Sequence, residues 1–96
     1  MRKHVDEVIK KKKIDARGLQ GEIGHYVGMA VHDVGQVNIP LKEGMVIAVE
    51  PAIYDDEKSI CLRIEDTVLI TKDGCEVLTK DVPKEIAEIE ALMTSK

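Results

Sequence analysis

The sequence predicts an α+β fold, in which a helix near each end of the chain flanks a curved antiparallel sheet. The run at 45–49 is continuously apolar, as is typical of a strand buried on both faces. Residues 60–70 carry apolar or β-branched side chains at nearly every second position, which is the strand period. A Lys-Asp-Gly segment at 72–74, followed by Glu-Val-Leu at 76–78, has the composition of a hairpin turn and its returning strand.

The first predicted element is a short amphipathic helix over residues 2 to about 13, where apolar side chains recur on one helical face. Gly18 and Gly21 interrupt this pattern. Residues 14–23 are therefore expected to form a connector between the helix and the sheet.

Residues 26–32 alternate in the period-two pattern that predicts a strand. His25 and His32 are seven residues apart, and this odd offset would place them on opposite faces of one regular strand. If both histidines serve one site, a bend or bulge must intervene, and Gly28 is a suitable place for it. Residues 33–40 are expected to form a loop.

The buried strand at 45–49 ends at Glu50, and Pro51 follows directly. Proline has no N–H to donate to a sheet ladder, so the strand either ends there or continues as an edge strand through residues 53–54. Regular alternation over 60–70 then places Arg63 and Glu65 on one face of the next strand.

A second amphipathic helix is predicted near the end of the chain. Pro83 suits a first helical turn, and four apolar residues follow at helical spacing. This helix is expected to pack on the sheet through its apolar residues, Ile86, Ile89, Leu92 and Met93.

Composition predicts one soluble domain covering residues 1–96. The formal net charge of -4 gives no electrostatic basis for binding nucleic acid or an anionic membrane, and no apolar run approaches the roughly 20 residues that cross a bilayer. Cys61 and Cys75 lack C-x-x-C spacing and are expected to be free thiols. Because no signal peptide is visible, we expect a cytoplasmic protein.

His25, Glu50 and Glu65 are candidate ligands for a divalent metal, since one imidazole and two carboxylates leave open positions for water. Their spacing matches no short ligand motif, so each also has a structural interpretation. Glu65 could pair with Arg63 on the same strand face, and Glu50 could be exposed at a strand end. His25 could be a hydrogen-bonded structural residue.

Four segments together resemble the C-terminal part of the pita-bread metallopeptidases, and within them aminopeptidase P and prolidase. The resemblance covers residues 24–93 in order and implies about half of a pita-bread domain. The segments are G-H-Y-V-G-M-A-V-H-D-V-G at 24–35, L-K-E-G-M-V-I-A-V-E-P-A-I-Y at 41–54, R-I-E-D-T-V-L-I-T at 63–71 and P-K-E-I-A-E-I-E-A-L-M at 83–93.

This resemblance implies a site of two divalent metals, most often manganese, with cobalt, zinc or iron as substitutes. The family holds them with two aspartates, one histidine and two glutamates, of which His25, Glu50 and Glu65 correspond to three. His32 corresponds to a catalytic histidine that assists substrate binding and proton transfer beside the metals. Arg63 is expected to orient Glu65 without touching the metal.

The sequence also departs from the family pattern. The two aspartate ligands lie further upstream in the family than the 24 residues before His25 allow, so the site is expected to be incomplete and the domain truncated. Gly21 stands where the family commonly has histidine, and Ala52 where a glycine is usual. Loss of two carboxylates weakens a dinuclear site, so at most one weakly held metal is expected.

The resemblance and the departures from it lead to two alternative expectations of function. The first is an Xaa-Pro aminopeptidase or prolidase that hydrolyses N-terminal peptide bonds before a proline in the second position, inactive or weakly active as an isolated fragment. The alternative is a catalytically inactive truncated module that folds by oligomerisation. Half of a pita-bread domain would expose an apolar sheet face and a sheet edge, so a homodimer or a complementing chain is expected.

Overall fold

A computed structural model describes residues 2–12, 19–20, 23–36 and 38–95. Two helices lie at the ends of this part of the chain, α1 (Arg2–Lys12) and α2 (Ile86–Thr94). Neither described helix has the length and apolar character needed to cross a membrane. The strands are β1 (Leu19–Gln20), β2 (Gly24–Tyr26), β3 (Val46–Val49), β4 (Ala52–Asp55), β5 (Ile60–Arg63), β6 (Asp66–Ile70) and β7 (Cys75–Val77).

These elements confirm the predicted α+β class, with antiparallel sheets and a helix near each end. The connector expected at 14–23 is wrong at residues 19–20, which form β1 and pair with β4. Most of the rest of that connector, including Gly21, lies outside the described residues. Both cysteines are free, as predicted.

The strands form two antiparallel sheets, of order β1-β4-β5 and β2-β3-β6-β7. Val49 pairs with Asp66, and Ala52 pairs with Arg63, so the register is the same on both sides of residues 50–51. The segments 46–55 and 60–70 are therefore one long hairpin that passes from one sheet into the other. At Pro51, β3 has ended at Val49 and pairing resumes at Ala52 as β4; β4 lies between β1 and β5, so the predicted edge strand is wrong.

The single strand predicted over 60–70 is broken at residues 64–65, between β5 and β6. The break lies opposite Glu50 and Pro51, where proline supplies no N–H to hold the ladder together. The predicted hairpin turn at 72–74 is confirmed, since β6 and β7 pair on either side of it and the Thr71 N–H donates to the Gly74 carbonyl at 2.9 Å.

The strand predicted over 26–32 is wrong, because β2 ends at Tyr26. The chain then bends, and the Asp33 N–H donates back to the Tyr26 carbonyl at 3.1 Å. A Cβ on Gly28 would collide with the Asp33 carboxylate, so glycine permits this close approach. We expected a bend near Gly28 if His25 and His32 serve one site, and the structure has a bend there.

The buried core lies mainly where β3 runs between β2 and β6, and Ala52 of β4 extends it into the other sheet. Its members are small or aliphatic, and no aromatic side chain is buried in the described residues. They are Ile23, Ile47, Ala48, Ala52 and Val68.

The predicted C-terminal helix exists, but it begins at Ile86, so Pro83 precedes it instead of lying in its first turn. Its predicted packing on the sheet is also wrong. None of its residues is buried, and it contacts none of the described strands. Ile86, for example, is 75% exposed. Amphipathic periodicity indicates that a helix has an apolar face, but it does not supply the surface that covers that face.

Candidate metal centre

The register of β2 and β3 explains why His25 and Glu50 meet. His25 lies directly opposite Ala48, and Glu50 is two residues beyond Ala48. Side chains two apart on a strand share a face, so the histidine and the glutamate are diagonal neighbours. His25 Nε2 lies 3.1 Å from Glu50 Oε1, and the two side chains are only 14% and 16% exposed.

The orientation of the His25 ring is set by the backbone. Its Nδ1 lies 2.8 Å from the carbonyl oxygen of Tyr26. Since a carbonyl oxygen only accepts hydrogen bonds, Nδ1 carries a proton. In the neutral ring, Nε2 then offers a lone pair toward Glu50, which is the usual arrangement of a metal-binding histidine.

His32 reaches the same place from the loop after β2. Its ring centroid lies 4.3 Å from that of His25, with the two ring planes at 62°. The Tyr26 carbonyl, which accepts from His25, also accepts from the N–H of Asp33, the residue after His32. One backbone oxygen therefore helps to position both histidines.

His25, His32 and Glu50 form the candidate metal cluster. Each offers one ligand atom, and these atoms all lie within 4.8 Å of one another. His32 is exposed, whereas His25 and Glu50 are half-buried. Two imidazoles and a carboxylate form a chemically suitable donor set for a divalent cation, so the residues present fit a metal.

Arg63 contacts Glu50 rather than Glu65. Its Nη1 lies 3.4 Å from Glu50 Oε2. The contact that we expected between Arg63 and Glu65 is not formed in the described part of the chain, because the break at 64–65 interrupts the regular alternation. The two oxygens of Glu50 thus have different partners, the imidazole of His25 on one side and the guanidinium of Arg63 on the other.

Glu65 is not brought into the cluster. The pairing of Val49 with Asp66 places Glu65 opposite Glu50 at the next position, just beyond the end of the ladder. Its side chain is exposed, and among the described residues it has neither an ion pair nor a hydrogen bond. Its role as a metal ligand stays a prediction.

Sequence reasoning missed a polar network around Asp66. Thr79 Oγ1 donates to Asp66 Oδ1 at 2.6 Å, and Lys84 Nζ lies 3.1 Å from the same oxygen. Thr79 Oγ1 also accepts from the Thr67 N–H. The hydrogen bond from Thr79 and then that from Lys84 hold the pKa of Asp66 below its usual value of 3.8. No local pattern links residues so far apart in the chain.

Comparison with known proteins finds similarity in both sequence and fold. Residues 1–72 match metallopeptidase family M24. The Xaa-Pro aminopeptidase of Haemophilus influenzae is 44% identical, over 93% of this chain and 23% of that protein. The mitochondrial intermediate cleaving peptidase 55 of Arabidopsis thaliana is 41% identical, over 92% of this chain and 20% of that protein.

A solved structure shows the same relationship. Aminopeptidase PepP of Pseudomonas aeruginosa is 43% identical and superposes with a TM-score of 0.71, over 95% of this chain and 24% of that one. The chain therefore spans about a quarter or less of the length of these relatives.

Proposed function

The chain belongs to metallopeptidase family M24, and we propose that it forms the C-terminal part of the catalytic domain of an Xaa-Pro aminopeptidase. Its substrate would be a peptide with proline in the second position, and the reaction would be hydrolysis of the bond before that proline. The observation that carries the proposal is the convergence of His25, His32 and Glu50 on one side of the sheet. The fold supports it, since this is a partial pita-bread domain.

In the complete enzyme, His25, Glu50 and Glu65 would be this chain's metal ligands. The remaining carboxylates would come from sequence outside these 96 residues, either in the same polypeptide or in a partner. Such a carboxylate-rich set suits manganese, with cobalt, zinc or iron as substitutes. A bound divalent cation would polarise the scissile carbonyl and lower the pKa of a bound water.

The other contacts would prepare these ligands for the reaction. The Tyr26 carbonyl fixes the His25 ring so that Nε2 faces Glu50. Arg63 holds the second oxygen of Glu50 and so orients the carboxylate without binding the metal. His32 is the exposed member of the cluster, and its imidazole can hydrogen-bond a substrate oxygen or transfer a proton.

The test is hydrolysis of an Xaa-Pro peptide by the chain with Mn²⁺, alone and mixed with the N-terminal half of an aminopeptidase P catalytic domain. We expect little activity alone and at least a tenfold increase on mixing, because the second half supplies the missing carboxylates. A peptide with alanine in the second position is the control substrate. Assembly of the two halves without hydrolysis of either peptide would contradict the proposal.

A catalytically inactive module is the second candidate, and the exposed apolar residues of β5 favour it. Ile60 is 55% exposed and Leu62 is 56% exposed, on the edge strand of the first sheet. We propose that residues 1–96 form such a module, which folds by oligomerisation, as a homodimer or on a complementing chain that covers its apolar surface. Light scattering over a concentration series distinguishes the homodimer by a doubled mass.

We also propose a cytoplasmic location. Cys61 and Cys75 are both exposed and free, which suits a reducing compartment. Alkylation of the protein in freshly lysed cells, followed by mass spectrometry, should find both thiols reduced, and recovery of a disulfide would contradict this location.

A further inference from the structure

We propose that the chain by itself binds one divalent cation of the zinc type through His25, His32 and Glu50. This site differs from the ligand set proposed for the complete peptidase, because His32 is a ligand and Glu65 is not. It shares two residues with the proposed function, yet it requires neither peptide hydrolysis nor carboxylates from outside the chain.

The first two ligand atoms already have a suitable separation. His25 Nε2 and Glu50 Oε1 lie 3.1 Å apart. Bonds of roughly 2.0–2.2 Å at tetrahedral angles place neighbouring ligand atoms about 3.3–3.6 Å apart, so this separation has to widen by only a few tenths of an ångström. Because His25 donates through Nδ1 to the Tyr26 carbonyl, a neutral ring turns a lone pair toward a carboxylate oxygen. Two acceptors at this distance need a cation or a proton between them.

The surroundings of Glu50 favour binding through one oxygen. Arg63 Nη1 lies beside Oε2, while Oε1 faces the His25 ring. The guanidinium therefore leaves Oε1 as the donor atom and restricts rotation of the carboxylate, which lowers the entropy lost when the metal binds.

His32 supplies the third ligand with a small movement. Its ligand atom lies within 4.8 Å of those of His25 and Glu50, so a side-chain rotation of an exposed ring brings it to bonding distance. The loop that carries it is anchored, since the Asp33 N–H donates to the Tyr26 carbonyl. The same carbonyl orients His25, so one backbone acceptor positions both imidazoles.

The composition of the site determines the class of metal. Two imidazoles and one carboxylate, with a fourth position left to water, form a typical catalytic zinc ligand set. Manganese binds imidazole-rich sites more weakly and prefers carboxylate and water oxygens. The chain alone should therefore select zinc, even though the carboxylate-rich site of the complete enzyme suits manganese.

The test is titration of the 96-residue chain with ZnCl₂ and with MnCl₂ by isothermal calorimetry, with imidazole ¹⁵N chemical shifts recorded in parallel. We expect one zinc per chain and affinity for manganese at least tenfold weaker. The chain has three histidines. The ring nitrogens of His25 and His32 should shift on zinc binding, and those of His4 should not.

Two variants identify the ligands. His32→Gln should weaken zinc binding at least tenfold, and because His32 is exposed the variant should keep the native circular dichroism spectrum. Glu65→Gln should leave the zinc affinity of the isolated chain within twofold of wild type. Glu57→Gln, in the exposed turn between β4 and β5, is the matched surface control.

Three results would overturn this site. They are no zinc bound by the folded chain, unchanged affinity in His32→Gln, and a loss in Glu65→Gln as large as that in His32→Gln. None of them bears on hydrolysis by the complemented enzyme. Conversely, failure of that hydrolysis would leave a zinc titration of the isolated chain unaffected, so the two proposals fail separately.

Discussion

The backbone carbonyl of Tyr26 is central to the candidate cluster because it accepts hydrogen bonds from both histidine-bearing segments. It orients the His25 ring and anchors the chain just after His32. The Tyr26 side chain adds a third restraint, since its hydroxyl donates to the Gln36 carbonyl at 2.7 Å. Gly35 lies against the same ring, so the loop that carries His32 is wrapped around Tyr26.

Gly35→Ala tests this wrapping. A Cβ at Gly35 would collide with the Tyr26 ring, which is held by its hydroxyl bond, so we expect a loss of about 1–3 kcal/mol in the free energy of unfolding. Gly74→Ala is the matched control, because a Cβ there meets nothing within 4 Å. Urea denaturation measures both variants, and equal stability of the two would show that the ring is free to move.

The lowered pKa of Asp66 predicts that the stability of the protein depends on pH. Its pKa is lowered in the folded state by hydrogen bonds from Thr79 and Lys84, so the unfolded chain holds the proton more tightly. The stabilisation is therefore fully present above the unfolded pKa, close to the usual value of 3.8, and is lost as the pH falls through the lower folded value.

Lys84→Met should therefore destabilise the protein at pH 6 and do so less at pH 2, because protonation of Asp66 removes the charge that Lys84 contacts. Lys80→Met, which removes an exposed lysine without a partner among the described residues, is the control. Denaturation midpoints at the two pH values provide the measurement. A destabilisation by Lys84→Met that is the same at both would exclude the ionic contribution.

At the scale of the secondary-structure elements, local patterns predicted the strand at 45–49 and the turn at 72–74, but not β1, the end of β2 at Tyr26 or the break at 64–65. The apolar run at 45–49 and the turn at 72–74 are encoded within a few residues, so sequence was sufficient. The break at 64–65 lies inside an unbroken alternation, and it arises from Pro51 on the opposing strand. Likewise, the match of Arg63 to Glu50 depends on a pairing between distant segments that no local pattern carries.

Local stability should be highest in β3 and lowest in α2. Strand β3 is hydrogen-bonded on both sides and contains buried Ile47 and Ala48. Helix α2 has nine residues, no buried side chain and no side-chain cap at Glu85. Short uncapped helices are marginal in water, so α2 amides should exchange with solvent much faster than β3 amides by NMR. Comparable protection would mean that another surface covers the helix.

The molecule as a whole is more open than its size predicts. Its radius of gyration is 15.3 Å, against about 12.5 Å for a compact domain of this length. It exposes 8134 Å² of surface, whereas a compact protein of its mass would expose about 5,500 Å². The excess is large enough for a specific interface, and the apolar residues of β5 are a prominent part of it.

Leu62→Glu tests what covers that surface. The side chain is 56% exposed, so the charge should cost the isolated chain little stability, but burying it against a partner would be strongly unfavourable. We expect light scattering and binding assays to show at least tenfold weaker association with the N-terminal half of an M24 catalytic domain. Leu78→Glu, at a similarly exposed leucine after β7, should bind as wild type. If the wild-type chain instead forms a concentration-dependent dimer that Leu62→Glu abolishes, the covering partner is a second copy of the chain. If Leu62→Glu and Leu78→Glu bind the N-terminal half with the same affinity, β5 is not the interface.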